Sequence, residues 1–129
     1  MGKQAFNELD NIYIFFSNAG IGLIYGKSLL RIPDDIWDKE ININLKGQWL
    51  VTKSLWRKMN SQKFEPLADK MINTSSIAGM VPDTSLPIYS IAKAGIIAMV
   101  QILAKTLAPK ITVNSISPDF TQLEYIKMM

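Results

Sequence analysis

Apolar runs and amphipathic stretches alternate along this chain. Residues Asn11–Ser17 form a continuous apolar and aromatic run, which is typical of a strand buried on both faces of a parallel sheet. Shorter apolar segments at 70–75 and 111–116 predict a second and a third strand. Residues 34–59 and 88–108 repeat apolar side chains at helical spacing. This strand–helix–strand–helix–strand order predicts an α/β fold with a three-stranded parallel sheet and flanking helices.

Each predicted helix has an apolar stripe that should face the sheet. The first helix begins at Pro33-Asp34, and its stripe comprises Trp37, Ile41, Leu45, Trp49, Leu55, Trp56 and Met59. Pro109 ends the second helix, whose stripe comprises Ile96, Met99, Val100, Leu103 and Leu107. Asn44 lies within the first stripe, where its side chain either hydrogen-bonds a neighbouring carbonyl or serves a functional site.

Three polar side chains are predicted to meet near the start of the second helix. Tyr89 and Lys93 are four residues apart, so both leave the helix on one face, and Ser76 directly follows the second strand. A phenol has an ordinary pKa of about 10, and a nearby ammonium group favours its ionised form. A hydroxyl, a phenol and an ammonium in one small volume suit proton exchange with an alcohol or a carbonyl.

Composition narrows the possible functions. The 129 residues predict a single domain over 1–129, and 48% of them are hydrophobic. The chain contains no Cys and no His, which excludes disulfides, thiolate metal sites and Ser-His-Asp hydrolysis and predicts no metal site. The formal charge of +3 comes from scattered lysines and arginines without an aromatic platform, so we expect no nucleic-acid partner. The apolar run at 12–16 is too short to cross a membrane, so no membrane partner is expected.

The spacing of Ser76, Tyr89 and Lys93 resembles the catalytic signature of the classical short-chain dehydrogenase/reductases. Three further segments resemble motifs of that family in the same order: Phe16-Ser17-Asn18-Ala19-Gly20, Asn44-Leu45-Lys46-Gly47 and Val113-Asn114-Ser115-Ile116-Ser117-Pro118. Two positions depart from its pattern, because Ser17 replaces an Asn and Asp119 replaces the Gly that usually follows the proline. Together the matches cover most of residues 9–121.

The resemblance implies an NAD(P)-dependent oxidoreductase that interconverts an alcohol and a ketone, for example a 3-oxoacyl group. In the family Ser76 would orient the carbonyl, Tyr89 would exchange the proton, and Lys93 would tune the phenol and contact ribose. Asn44 would distort its helix and hold a water next to the lysine. The implied cofactor-binding residues are Asn18, Ala19, Gly20, Tyr89, Lys93, Pro118 and Thr121. The choice between NAD and NADP is left open.

By the same resemblance, these residues correspond to the catalytic half of a doubly wound Rossmann-like fold. The Gly-rich pyrophosphate turn is absent, because Gly20-Ile21-Gly22 is followed by Tyr25 where that motif needs glycine. We therefore expect an apolar open edge at the first strand and a sheet face without helices. A homo-oligomer or partner chain is expected to use helices 34–59 and 88–108, the family's dimer interface. The alternative to an enzyme is a truncated, non-catalytic interaction module. The cytoplasm is the default location.

Overall fold

Three parallel strands form the sheet. The computed structural model describes residues 8–23, 28–63 and 68–119. In chain order the strands are β1 (Ile14–Ser17), β2 (Asp69–Thr74) and β3 (Ile111–Ile116). They lie side by side in the order β1-β2-β3, and both neighbouring pairs are parallel. The predicted three-stranded parallel sheet is confirmed, although β1 begins three residues later than the apolar run suggested.

Helical segments connect the strands. The connection from β1 to β2 contains a 3-10 turn (Leu29–Arg31), α1 (Asp34–Ile41), a π-helical segment (Asn42–Lys46) and α2 (Gly47–Ser61). The connection from β2 to β3 contains a second 3-10 turn (Ile77–Gly79) and α3 (Pro87–Leu107). The first predicted helix is thus a continuous rod whose winding widens at the centre. Proline at the first position of α3 suits a helix start, where the missing N–H has no intrahelical acceptor.

The core lies between one face of the sheet and the helices. Register places Phe15, Met71 and Val113 side by side on this face. The buried apolar cluster consists of Ile12, Leu55, Met59, Met71, Ile96, Val100, Leu107, Ile111 and Val113. By length and composition α3 could also cross a membrane, with a mean hydropathy of 1.6. Its residues Ile96, Val100 and Leu107 belong to the core cluster, and a core helix meets the same criteria.

The opposite face of the sheet is open in the described part of the chain. Ile14 and Phe16 point to this face and are 63% and 50% exposed, while Ile116 on β3 is also exposed. β1 therefore is an edge strand with an apolar outer face, as expected of an open edge. The prediction that Asn11–Ser17 is buried on both faces was wrong for these side chains, because the described helices pack on only one side of the sheet.

The buried stripe of the first rod differs from the predicted apolar stripe. Trp37 and Trp49 are exposed, whereas the residues that face the interior include the polar side chains Glu40, Asn44, Gln48 and Thr52. These four follow one another at intervals of four, so they occupy one face of the rod. Leu55 and Met59 continue the same face into the apolar core as predicted. The prediction of Trp37 and Trp49 as core residues was wrong, because this part of the first rod lies against the polar ends of the strands.

Candidate active site

The site is built where the strands end at their carboxyl side. Beyond β2 the chain continues alongside the segment after β3: the Ser75 N–H donates to the Ile116 carbonyl (2.8 Å) and the Ile77 N–H donates to the Pro118 carbonyl (3.0 Å). Ser76 therefore lies beside the Ser117-Pro118 turn at the same edge of the sheet. Ligand sites of α/β folds usually lie at the carboxyl ends of the parallel strands.

Ser76 begins the 3-10 turn that leads away from β2. Its Oγ atom accepts the Ala78 N–H at 3.2 Å, so the hydroxyl caps the turn and takes a defined position. The side chain remains partly exposed. A hydroxyl that accepts one hydrogen bond still has its own hydrogen to donate, which is what polarising a substrate oxygen requires.

The turn after Ser76 packs directly on α3 at Lys93. The buried Ser75 Oγ atom donates to the Lys93 carbonyl at 2.7 Å. A Cβ atom at Gly79 would lie 2.6 Å from the Lys93 carbonyl carbon and 2.8 Å from the Ala94 nitrogen. Only glycine allows the turn to approach the helix backbone this closely. Ser75 and Gly79 were not identified as positioning residues from the sequence, although both lie within three residues of Ser76.

Tyr89 and Lys93 lie one turn apart on α3, as the spacing predicted. The Lys93 Nζ atom is 5.3 Å from the centroid of the Tyr89 ring. It donates to the Thr74 carbonyl at 2.8 Å, and the lysine side chain is only 2% exposed. Burial lowers the pKa of Lys93 from 10.5 to about 8. The ammonium is thus held under the phenol ring, close to the last residue of β2.

Asn44 occupies the π-helical segment and is fully buried. Its Oδ1 atom accepts the Ile21 N–H at 2.8 Å, and its Nδ2 atom donates to the Ile21 carbonyl at 2.7 Å. The side chain therefore holds the loop after β1 through both backbone groups of Ile21, and a role in holding a water next to the lysine stays a prediction. The expected distortion of the helix is present at Asn44, which lies in the π-helical segment. Such turns are rare and are found mainly at functional sites.

Gly20 connects the β1 loop to the lysine. A Cβ atom there would lie 2.9 Å from the Asn44 Oδ1 atom and 3.6 Å from the Lys93 Nζ atom. The structure therefore brings Gly20, Asn44 and Lys93 to one point. Asn18 lies in the same exposed loop, and its Oδ1 atom accepts the Thr74 hydroxyl at 2.8 Å. Of the remaining predicted site residues, Pro118 is partly buried and Thr121 lies outside the described residues.

Two further side chains approach the strand ends from the first rod. Gln48 Nε2 donates to the Thr74 carbonyl at 3.1 Å, and Glu40 Oε1 accepts the Leu23 N–H at 2.7 Å. Both residues are about 2% exposed and belong to the polar stripe. Sequence reasoning missed them because it searched for apolar periodicity. The usable signal was the four-residue spacing of Glu40, Asn44 and Gln48.

Comparison with known proteins gives a consistent result. A family model described as short chain dehydrogenase matches residues 1–127. A 3-oxoacyl-(acyl-carrier-protein) reductase of Aquifex aeolicus is 34% identical over 123 residues, which are 95% of this chain and 47% of that protein. The corresponding reductase of Synechocystis is 35% identical over 119 residues, 92% of this chain and 46% of that protein. The chain spans about half the length of these curated relatives.

Solved structures agree with the fold. The crystal structure of an NAD+-bound xylitol dehydrogenase superposes with a TM-score of 0.86 at 28% identity and covers 96% of this chain and 46% of that chain. A short chain dehydrogenase of Shigella flexneri complexed with NADP superposes with a TM-score of 0.80 at 19% identity, over 92% of this chain and 47% of that chain. The second likeness concerns the fold alone. Both support the Rossmann-like arrangement of the sheet and helices.

Proposed function

This chain belongs to the short-chain dehydrogenase family, and on that premise we propose that it carries the proton-transfer site of an NAD(P)-dependent oxidoreductase that interconverts an alcohol and a ketone. The observation that carries the proposal is the buried Lys93 ammonium 5.3 Å from the Tyr89 ring centroid. Burying an ammonium group is costly, and such groups concentrate at functional sites. Core packing alone gives no reason for a lysine here.

Each proposed catalytic group has a defined task. In the direction of reduction, the Tyr89 hydroxyl gives its proton to the carbonyl oxygen, and Ser76 donates a hydrogen bond to the same oxygen. The Lys93 ammonium, 5.3 Å from the centroid of the phenol ring, stabilises the negative charge that develops on the phenol oxygen. In the direction of oxidation, the phenolate takes the proton from the alcohol. Asn44 keeps the loop at Ile21 in position beside the lysine.

The residues at the strand ends fit a nicotinamide coenzyme. Asn18, Ala19 and Gly20 are exposed, and Gly20 has no side chain to obstruct a ligand beside Lys93. When bound, the coenzyme supplies or accepts the hydride. Lys93 would then donate to ribose hydroxyls with the N–H groups that it does not use for Thr74, and the turn at Pro118 would line the coenzyme. Asp119 adds a carboxylate to that turn in place of the family's glycine.

The test combines coenzyme binding with turnover. NADH and NADPH are titrated into the 129-residue chain by calorimetry, and activity is assayed with a 3-oxoacyl thioester and with xylitol, the substrate types named for the relatives. We expect micromolar binding and an activity that falls by at least about 100-fold in Tyr89→Phe, the lower end for loss of a general acid. Tyr13→Phe is the matched control, since Tyr13 is 58% exposed and precedes β1. Failure to bind either coenzyme would refute the proposal for this chain alone.

A second candidate is a non-catalytic interaction module. The open sheet face exposes Ile14 and Phe16, and the helices expose Trp49, Leu50 and Ile102. Contiguous exposed apolar surface commonly marks an interaction site. Under this alternative the chain associates with itself or a partner through the helices 34–59 and 88–108 and binds no coenzyme. Sedimentation over a range of concentrations, together with the titration above, distinguishes the two candidates.

A further inference from the structure

One backbone carbonyl, that of Thr74, accepts hydrogen bonds from two buried side chains. Lys93 Nζ lies 2.8 Å from this oxygen and Gln48 Nε2 lies 3.1 Å from it. The two nitrogen atoms therefore approach each other from α3 and from α2 at the end of β2. Gln48 has no part in the family resemblance or in the proton transfer described above, so its presence beside the lysine needs its own explanation.

The Thr74 carbonyl is available because β1 ends early. The last register pair between β1 and β2 joins Ser17 to Asn73, so Thr74 lies one residue past the end of that ladder. A carbonyl at a partly buried strand end needs a donor in place of the missing strand. Since a carbonyl oxygen has two lone pairs, it can hold both donors at once. The arrangement couples the position of the lysine to that of the glutamine through one oxygen atom.

Burial of the Gln48 side chain lowers the stability of the fold. It is 2% exposed, and its Oε1 atom has no hydrogen-bond partner among the described residues. A buried polar atom without a partner costs about 1–3 kcal/mol. An apolar side chain would avoid that cost and would extend the core contacts of Leu55 on the same face. Among residues 8–23, 28–63 and 68–119, the polar contact found for the Gln48 side chain is the bond to Thr74.

We propose that Gln48 is a positioning residue for Lys93, acting through the Thr74 carbonyl oxygen to which both side chains donate. The proposal rests on the proposed function, because it assigns the fixed ammonium to the coenzyme and phenol site. Gln48 holds the carbonyl from one side, so Lys93 keeps a single direction of approach to the same oxygen. A neutral amide performs this task without adding a charge next to the ammonium.

The test measures the position of the Gln48 side chain relative to the Lys93 ammonium. The pKa of Lys93 is followed by NMR on protein labelled with ¹³Cε-lysine, and its resonance is assigned by its loss in Lys93→Arg. Gln48→Glu should raise the pKa of Lys93 by at least about one unit, because an opposite charge within a few ångströms stabilises the ammonium. Gln101→Glu is the matched control: it makes the same change on exposed α3 surface, about 12 Å along the helix from Lys93.

The outcomes separate cleanly. A rise in Gln48→Glu with no comparable rise in Gln101→Glu supports the proposal, and equal responses or no response overturn it. Gln48→Glu tests how close the two side chains lie, and Gln48→Met tests the positioning itself, because it removes the donor without adding charge. In that variant the Lys93 ¹³Cε order parameter should fall towards that of exposed lysines, while Thr52→Val, the next residue of the stripe, should leave it unchanged. An unchanged order parameter in Gln48→Met overturns the proposal.

Coenzyme titration on the same samples tests the proposed function separately. A wild-type chain that binds neither NADH nor NADPH refutes that function. The responses of Lys93 to Gln48→Glu and Gln48→Met still decide whether Gln48 positions the ammonium, because the NMR measurements need no ligand.

Discussion

Replacing the buried lysine should stabilise the fold while removing its chemistry. Lys93→Met keeps a long unbranched side chain beside Thr74 but removes the ammonium group. Burial lowers the pKa of Lys93 to about 8 in the folded chain, against 10.5 for an ordinary lysine. The folded state therefore disfavours the protonated form, and at neutral pH the native protein carries the cost of burying it.

The size of the effect follows from the pKa difference. At about 1.4 kcal/mol per pKa unit the shift corresponds to an upper bound of about 3 kcal/mol. Lys93→Met also removes the hydrogen bond from the ammonium to the Thr74 carbonyl, which reduces the expected gain in stability to about 1–2 kcal/mol. The sign depends on pH. The unfolded chain binds the proton more tightly, so wild-type stability rises from pH 8 to about 10.5, and the advantage of the variant shrinks over the same window.

Urea unfolding at pH 7 and at pH 10 measures both quantities. We expect Lys93→Met to be more stable than wild type at pH 7 and nearly equal to it at pH 10. Lys105→Met is the control, since Lys105 is exposed in the last turn of α3 and its loss should cost only a few tenths of a kcal/mol at either pH. A variant that is less stable than wild type at pH 7, or a stability difference independent of pH, would refute the reasoning.

Three other substitutions test the packing around the site and the use of the open sheet face. Gly79→Ala should destabilise the fold by about 2–3 kcal/mol in urea unfolding, because the new Cβ would lie 2.6 Å from α3 backbone. Gly95→Ala is the control and should change stability by less than about 1 kcal/mol, because the nearest atoms to its new Cβ belong to the flexible Leu45 side chain. Equal effects would contradict the close approach of the turn to the helix. Asn44→Ala should lower the free energy of unfolding by about 2–4 kcal/mol, since it removes two hydrogen bonds and leaves both Ile21 backbone groups without this partner. Hydrogen exchange of the Ile21 amide should accelerate. An unchanged exchange rate would show that Asn44 does not hold the loop. Under the alternative of an interaction module, Phe16→Thr should weaken self-association measured by sedimentation, because Phe16 is 50% exposed on the open sheet face. An unaltered association constant would show that this face is not used.

The position of most strands and helices could be predicted because their patterns are local. β3 occupies the predicted residues 111–116, and β2 differs from its prediction by one residue at each end. α3 likewise lies within one residue of the predicted 88–108. Short apolar segments bounded by proline and polar residues carry this information without reference to the rest of the chain. The four-residue spacing of Tyr89 and Lys93 also predicted their shared helix face, which the structure confirms.

The polar stripe of the first rod could not be predicted in the same way. Polar side chains are usually exposed and tryptophans usually buried, so the sequence favoured Trp37 and Trp49 as core residues. In the structure both are exposed. Glu40 and Asn44 instead bond to the loop after β1, and Gln48 bonds to the end of β2. Their partners are backbone groups between 17 and 26 residues away, which no local pattern can identify.

The sequence by itself determined the element order, the family and the residue types of the proposed site, because each depends on short-range spacing. Only the tertiary structure decided how those residues are held. The Thr74 carbonyl has no strand partner because β1 stops one residue short of it. Lys93 and Gln48 donate to this carbonyl from different helices. The Lys93 ammonium is buried, and its pKa lowered, only because the loop after β1 and the polar stripe pack against the strand ends in the folded chain. Desolvation is a property of the assembled surroundings and cannot be assigned to any stretch of chain alone.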